Sequence, residues 1–202
     1  MTRTLIIMLF AMLALPASAN ALEWTPGDHL LGRSHLDPAN VVRTGDAYDL
    51  NLPAGTTDGA EIKSVKQFSS GTVRAGLKVA NAPSSITGFF LYAAPDYASE
   101  IDIELYNDPS GTVMFSTYAG GRQTHTVTQA LGFDPTAAYH DYAITWKAGQ
   151  ARFYVDGALV RTFKTGAPTL PMNLYANAWY PAWLDGLAPS VGSASRFAYL
   201  SR

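Results

Sequence analysis

An all-β jelly-roll sandwich of two antiparallel sheets is the fold this sequence predicts. Three observations predict it. Apolar and polar residues alternate with a period of two in several short runs, the spacing of a strand with one buried face. Clusters of Gly, Pro, Asn and Asp separate those runs, as turns require. Helical spacing is nearly absent. Many short strands with regular turn punctuation pack as two layers around one core.

The elements follow in chain order. Val73, Ala75, Leu77 and Val79 alternate with polar residues or glycine and predict a strand. Ile86 to Tyr92 is an apolar, aromatic run bounded by Pro83 and Pro95. An acidic alternating run follows, Ser99 to Tyr106. Asn107-Asp108-Pro109-Ser110-Gly111 is a turn cluster, and Thr112 to Tyr118 reads as the returning strand. Thr124 to Thr128 is a short alternating piece. Tyr142, Ile144 and Trp146 alternate before a turn at Ala148-Gly149-Gln150. Phe153 and Val155 lead into Asp156-Gly157, a strong hairpin signal, and Leu159 to Phe163 returns. Leu170 to Ala178 and Arg196 to Leu200 are the late strands. Trp146 and Tyr142 are assigned to the core. No internal repeat, low-complexity run or linker divides the mature chain, so residues 22–202 are expected to form one domain.

The acidic run carries the chemistry. Glu100, Asp102 and Glu104 occupy alternate positions, with Ile101, Ile103 and Leu105 between them. On a strand the three carboxyl groups share one face. Crowded like charges oppose one another's ionisation, so a strand that accepts them is more often a site than a scaffold. A rise of about 3.3 Å per residue sets the Glu100 and Glu104 Cα atoms roughly 13 Å apart. Two glutamate side chains leaning together close much of that gap, toward the roughly 5–5.5 Å used by retaining glycosidases. The middle residue has less distance to cover and is the shorter Asp. The plain alternative is a solvated acidic face.

Compartment and partners follow from composition. Residues 1–21 read as a secretory signal peptide: Arg3, an apolar run from Leu5 to Leu15, and small-residue cleavage sites after Ala19 or Ala21. That run is shorter than the ~20 residues of a membrane span. The chain is expected to be secreted or periplasmic, with no membrane partner after cleavage. There is no cysteine, so the domain depends on its core rather than on disulfides. The formal net charge is −2 and no basic cluster is present, which argues against nucleic acid. Charged residues make up 15% and aromatic residues 12%, a balance that suits a neutral, polar partner with apolar faces, such as a sugar. A monomer is the expected state. His29, His35, His125 and His140 lack metal-ligand spacing, and no metal or cofactor is expected.

The run Glu100-Ile101-Asp102-Ile103-Glu104 resembles the signature of glycoside hydrolase family 16, which includes lichenases and xyloglucan endotransglycosylases. Four further blocks resemble that family in the same order. They are Glu61-Ile62-Lys63-Ser64-Val65; Gly132-Phe133-Asp134 with Tyr139 to Trp146; Phe153 to Gly157; and Pro171 to Tyr175 with Trp183-Leu184. The resemblance implies a jelly roll with substrate in a cleft across a concave sheet. It implies Glu100 as nucleophile, Glu104 as general acid/base, and Asp102 as the residue that orients and tunes Glu100. Ionised Glu100 and Asp102 are expected to raise the pKa of Glu104. Glu61 and Lys63 match residues that contact sugar hydroxyls, with Lys in place of Arg. Tyr175 stands where lichenases often carry Trp, and Trp183 keeps the spacing of a second Trp. Ser116 and Tyr118 lie where the family has polar and aromatic residues near the acid/base. Tyr97, Tyr106, Asn173 and Trp179 complete the expected substrate contacts.

Two departures stand out. Ala98-Ser99 replaces the pair that often precedes the nucleophile, with Tyr97 one step further out. Ala198 stands where many members place a calcium-binding Asp, which argues against a structural calcium. The implied activity is that of a retaining endo-β-glycanase acting on a β-1,3/1,4-glucan or a related exopolysaccharide. A transglycosylase on the same scaffold and a non-catalytic carbohydrate-binding jelly roll are the alternatives.

Overall fold

The computed structural model describes residues 22–202; the expected signal peptide lies outside the described residues. The strands are β1 (Trp24–Pro26), β2 (His29–Leu31), β3 (Ser34–Leu36), β4 (Val41–Thr44), β5 (Ala47–Leu52), β6 (Ala60–Phe68), β7 (Gly71–Lys78) and β8 (Ile86–Ala93). They continue with β9 (Ser99–Tyr106), β10 (Thr112–Ala119), β11 (Arg122–Ala130), β12 (His140–Lys147), β13 (Gly149–Val155), β14 (Ala158–Ala167), β15 (Met172–Trp179) and β16 (Ser193–Ser201). A 3-10 turn at Pro38–Asn40 is capped by Asp37, whose side chain accepts a hydrogen bond from the Ala39 amide.

Two seven-stranded sheets form the sandwich. The first runs β1-β6-β15-β8-β9-β10-β11 and the second β14-β13-β12-β7-β16-β5-β4. A separate hairpin, β2-β3, lies outside both. The alternation seen in the sequence sorts side chains as expected. Ile101, Ile103 and Leu105 of β9 are fully buried between the sheets. They meet a core that includes Val73, Ala75 and Leu77 of β7 and Ile144 of β12. Phe115 of β10 and Phe153 of β13 bridge the layers with ring centroids 5.0 Å apart. Each such side chain contributes about 1.5–3 kcal/mol by leaving water. Tyr142 and Trp146 are in the same core. At the Asp156-Gly157 hairpin both residues have positive φ, 49° and 77°, as a type I′ turn demands.

The five strands before Ala60 have no counterpart among the sequence expectations. β1 to β3 have three residues each, too short to show a period. β5 is different: Tyr48, Leu50 and Leu52 are buried and the residues between are not. Its period of two was readable in the sequence.

Candidate active site

Antiparallel partners share a face of the sheet, so register alone assembles the outer face of the first sheet. Three rows cross it. One runs Lys63, Tyr175, Phe90, Asp102, Ser116, Thr126. A second runs Glu61, Asn177, Gly88, Glu104, Met114, Thr128. The third runs Asn173, Tyr92, Glu100, Tyr118, Gln123. Because Ile101, Ile103 and Leu105 fill the core, the three acids of β9 must face outward, near the middle of the sheet.

Their surroundings set their protonation. Asp102 is 4% exposed. Burial raises its pKa well above the usual range, and the charges of Glu100 and Glu104 add to the shift. Its Oδ1 is buried with no hydrogen-bond donor in reach, a second reason to hold a proton. Asp102 and Glu100 share a hydrogen bond that raises the Asp102 pKa and lowers that of Glu100, so the proton belongs to Asp102. Glu100 is still pushed up to about 7, mainly by burial, with the Asp96 charge adding to it. Glu104 is pushed up to about 7 by burial first and the Glu100 charge second. Of the two charges expected to raise Glu104, Glu100 and Asp102, only Glu100 does so, and burial outweighs it.

The flanking aromatics form a continuous surface. Tyr175 stacks on Phe90 with centroids 5.0 Å apart and 17° between planes, and meets the edge of Tyr92 at 5.7 Å. Tyr92 donates a hydrogen bond to Asp96 at 2.7 Å. On the other side of β9, Tyr118 accepts from Gln123 at 2.9 Å. Its ring meets Tyr97 at 5.4 Å. Tyr97 sits in the β8–β9 loop, more than half exposed, with φ of 63°.

The remaining expected contacts are placed as follows. Glu61 is 5% exposed, accepts from Asn177 Nδ2 at 3.3 Å, and has its pKa raised to about 7 by burial. Lys63 lies beside it on the same face. Ser116 is buried and bonded to Thr126 at 3.1 Å. Asn173 donates to the Ser64 carbonyl at 2.8 Å and accepts from Gln67. Tyr106 packs beside Leu36, Ile86 and Trp179 in a small satellite cluster. Trp179 is 7% exposed and supports Trp183, which is 55% exposed and meets it edge-on at 5.4 Å.

Sequence reasoning missed Phe90, Tyr92, Gly88 and Asn177. The first three were read as one apolar run, although their alternate positions give an outward face. Asn177 follows Tyr175 by two and was open to the same argument. It is the keystone of its row: its Oδ1 accepts from the Gly88 amide at 3.1 Å while its amide reaches Glu61. A Cβ at Gly88 would lie 2.5 Å from that oxygen.

Two carboxyl groups on one face, one linked to a protonated neighbour and the other holding its own proton near neutrality, are the equipment for acid-assisted nucleophilic displacement at a sugar. On a jelly roll with aromatic side chains along the same face, they define a glycoside hydrolase. Residues 33–185 match the description "Glycosyl hydrolases family 16", and the chain belongs to that family. A beta-glucanase of Paenibacillus macerans is 30% identical, covering 89% of this chain and 85% of its own. A beta-glucanase of Paenibacillus polymyxa is 31% identical, covering 77% of this chain and 68% of its own. The solved Bacillus licheniformis beta-glucanase superposes with a TM-score of 0.80 at 26% identity, covering 92% of this chain and 93% of that one.

Proposed function

We propose that this chain is an exported, retaining endo-β-glucanase that cleaves a β-1,3/1,4-glucan or a related exopolysaccharide by double displacement. The observation that carries the reading is the outward trio Glu100, Asp102 and Glu104 on β9, flanked on the same face by Phe90, Tyr92 and Tyr175. Glu100 attacks the anomeric carbon as Glu104 gives its proton to the leaving oxygen. A glycosyl–Glu100 ester forms. Ionised Glu104 then takes a proton from water, the water opens the ester, and the β configuration returns. Asp102 orients Glu100 and, by donating its proton in a hydrogen bond, steadies the carboxylate that attacks and later leaves.

The aromatic surface of Tyr175, Phe90 and Tyr92 offers ring faces to the sugar chain, while Glu61, Lys63 and Asn177 offer polar contacts. Two carboxyl groups complete the chemistry, so no cofactor is needed. Ala198 supplies no side-chain oxygen to a calcium ion. Export rests on the signal-like residues 1–21; no helix among the described residues is long and apolar enough to cross a membrane. The partner is the polysaccharide, and a monomer suffices because the trio and its trough lie within one chain.

Barley β-glucan, laminarin and agarose, each incubated with the protein and assayed for new reducing ends, test the reading. Barley glucan is expected to respond most strongly. Glu100→Gln should lose at least about a thousandfold in kcat while still binding the polymer. Wild-type turnover in that variant would remove Glu100 as nucleophile. Cleavage of agarose alone would reassign the substrate.

A further inference from the structure

Among the described residues, the β2–β3 hairpin is the one strand pair outside both sheets, and its tip carries an unusual arginine. Gly32, with φ of 57°, opens a two-residue turn, and Arg33 closes it. A Cβ on Gly32 would lie 2.6 Å from the Trp179 ring, so the turn presses directly on that side chain. Arg33 is anchored by its own backbone. Its amide donates to the Tyr180 carbonyl at 2.8 Å and its carbonyl accepts from Thr57 at 2.7 Å.

The guanidinium then reaches across to the loop after β15. Its Nε donates to Pro181 O at 3.3 Å and Nη1 to Gly186 O at 2.7 Å. Nη2 donates to Leu184 O at 2.7 Å and to Ser84 O at 3.3 Å. All four acceptors are backbone carbonyls. Three belong to residues 181–186, the segment that presents Trp183. A rigid planar fork suits four divergent acceptors, which a single ammonium cannot match.

We propose that Arg33 is a positioning residue: it clamps the 181–186 loop from the β2–β3 hairpin and so holds Trp183 as a fixed shelf for the sugar chain at its end of the trough. The inference rests on the glucanase reading. Arg33 touches neither the trio nor the reacting bond, so its effect falls on the grip for long chains rather than on chemistry.

Arg33→Ala tests this with two readouts. Hydrogen exchange by mass spectrometry should become about tenfold faster or more in 181–186 and stay unchanged in β8 and β9. KM for polymeric β-glucan should rise about three- to tenfold with kcat within about twofold, and a short oligosaccharide that ends before the shelf should keep its wild-type KM. Arg33→Lys should fall between. If Arg33→Ala does not fold, Arg33→Lys decides on the same readouts. Unchanged exchange in 181–186 would overturn the clamp. A loosened loop with an unchanged polymer KM would overturn the positioning role. Exchange needs no turnover, so a wild-type chain that cleaved no glucan would sink the glucanase reading while still reporting on the clamp.

Discussion

Asp102 is enclosed between two glutamates on a strand whose other face is solid core, and this sets the acid–base behaviour of all three. The proposed mechanism requires Glu100 ionised and Glu104 protonated. Both groups titrate near 7 and feel each other, so the pair loses protons in two shared steps and activity is greatest between them. Asp102→Ala removes the proton donor to Glu100. The acidic limb of the kcat/KM profile should then move to higher pH, while Asp102→Asn, which keeps a donor, should move it less. An unmoved limb in Asp102→Ala would remove Asp102 from the tuning of Glu100. Glu61 gives a stability counterpart. Its folded pKa is raised from 4.5 to about 7, so the folded chain holds its proton more tightly than the unfolded one. The resulting stabilisation is full below about pH 4.5 and is lost as pH rises through about 7. Glu61→Gln should therefore raise stability at pH 8 by on the order of 1–3 kcal/mol and do little at pH 4. Thermal melts at both pH values check this; a loss at pH 8 would mean the carboxylate is worth more than its burial costs.

Strands and loops place these groups, and the loop before β9 does so under strain. Tyr97 holds a left-handed backbone that bulky side chains rarely adopt. The carbonyls of Tyr97 and Ala98 accept from the Gly121 and Gly120 amides, tying this loop to the β10–β11 turn. The conformation costs about 1–2 kcal/mol, and the Tyr118 ring contact returns about 0.5–1.5 kcal/mol. Tyr97→Ala should lose the contact and keep most of the strain, lowering Tm. Tyr97→Gly should relieve the strain and stay near the wild-type Tm. A lower Tm for Gly than for Ala would contradict this assignment. No residue type marked this strain in the sequence, because Tyr97 is not a residue that favours positive φ. The acidic strand was legible for the opposite reason: its period, its apolar partners and its charge all pointed one way. The aromatic wall on β8 was half legible, since an apolar run conceals which of its faces is wet. Arg33 was not legible at all, because its acceptors lie more than a hundred residues away, except for Ser84.

At the scale of the whole molecule, the sandwich converts a two-residue repeat into a site. One face of β9 closes the core with three aliphatic side chains, and the other carries three acids on the outer face of the first sheet. The fold class was readable because alternation and turn chemistry repeat along most of the chain. Strands β1 to β4 were not, as three or four residues are too few to show a period, whereas β5 carried a readable alternation that was passed over. The proposed roles imply a stereochemical outcome, since Glu100 as nucleophile and Glu104 as acid/base would act on one bond in two inversions. Proton NMR of a β-glucan digest, recorded before the new reducing ends equilibrate, tests this most directly. The account predicts that the β-anomer appears first and the α-anomer grows in later; an initial α-anomer would contradict it.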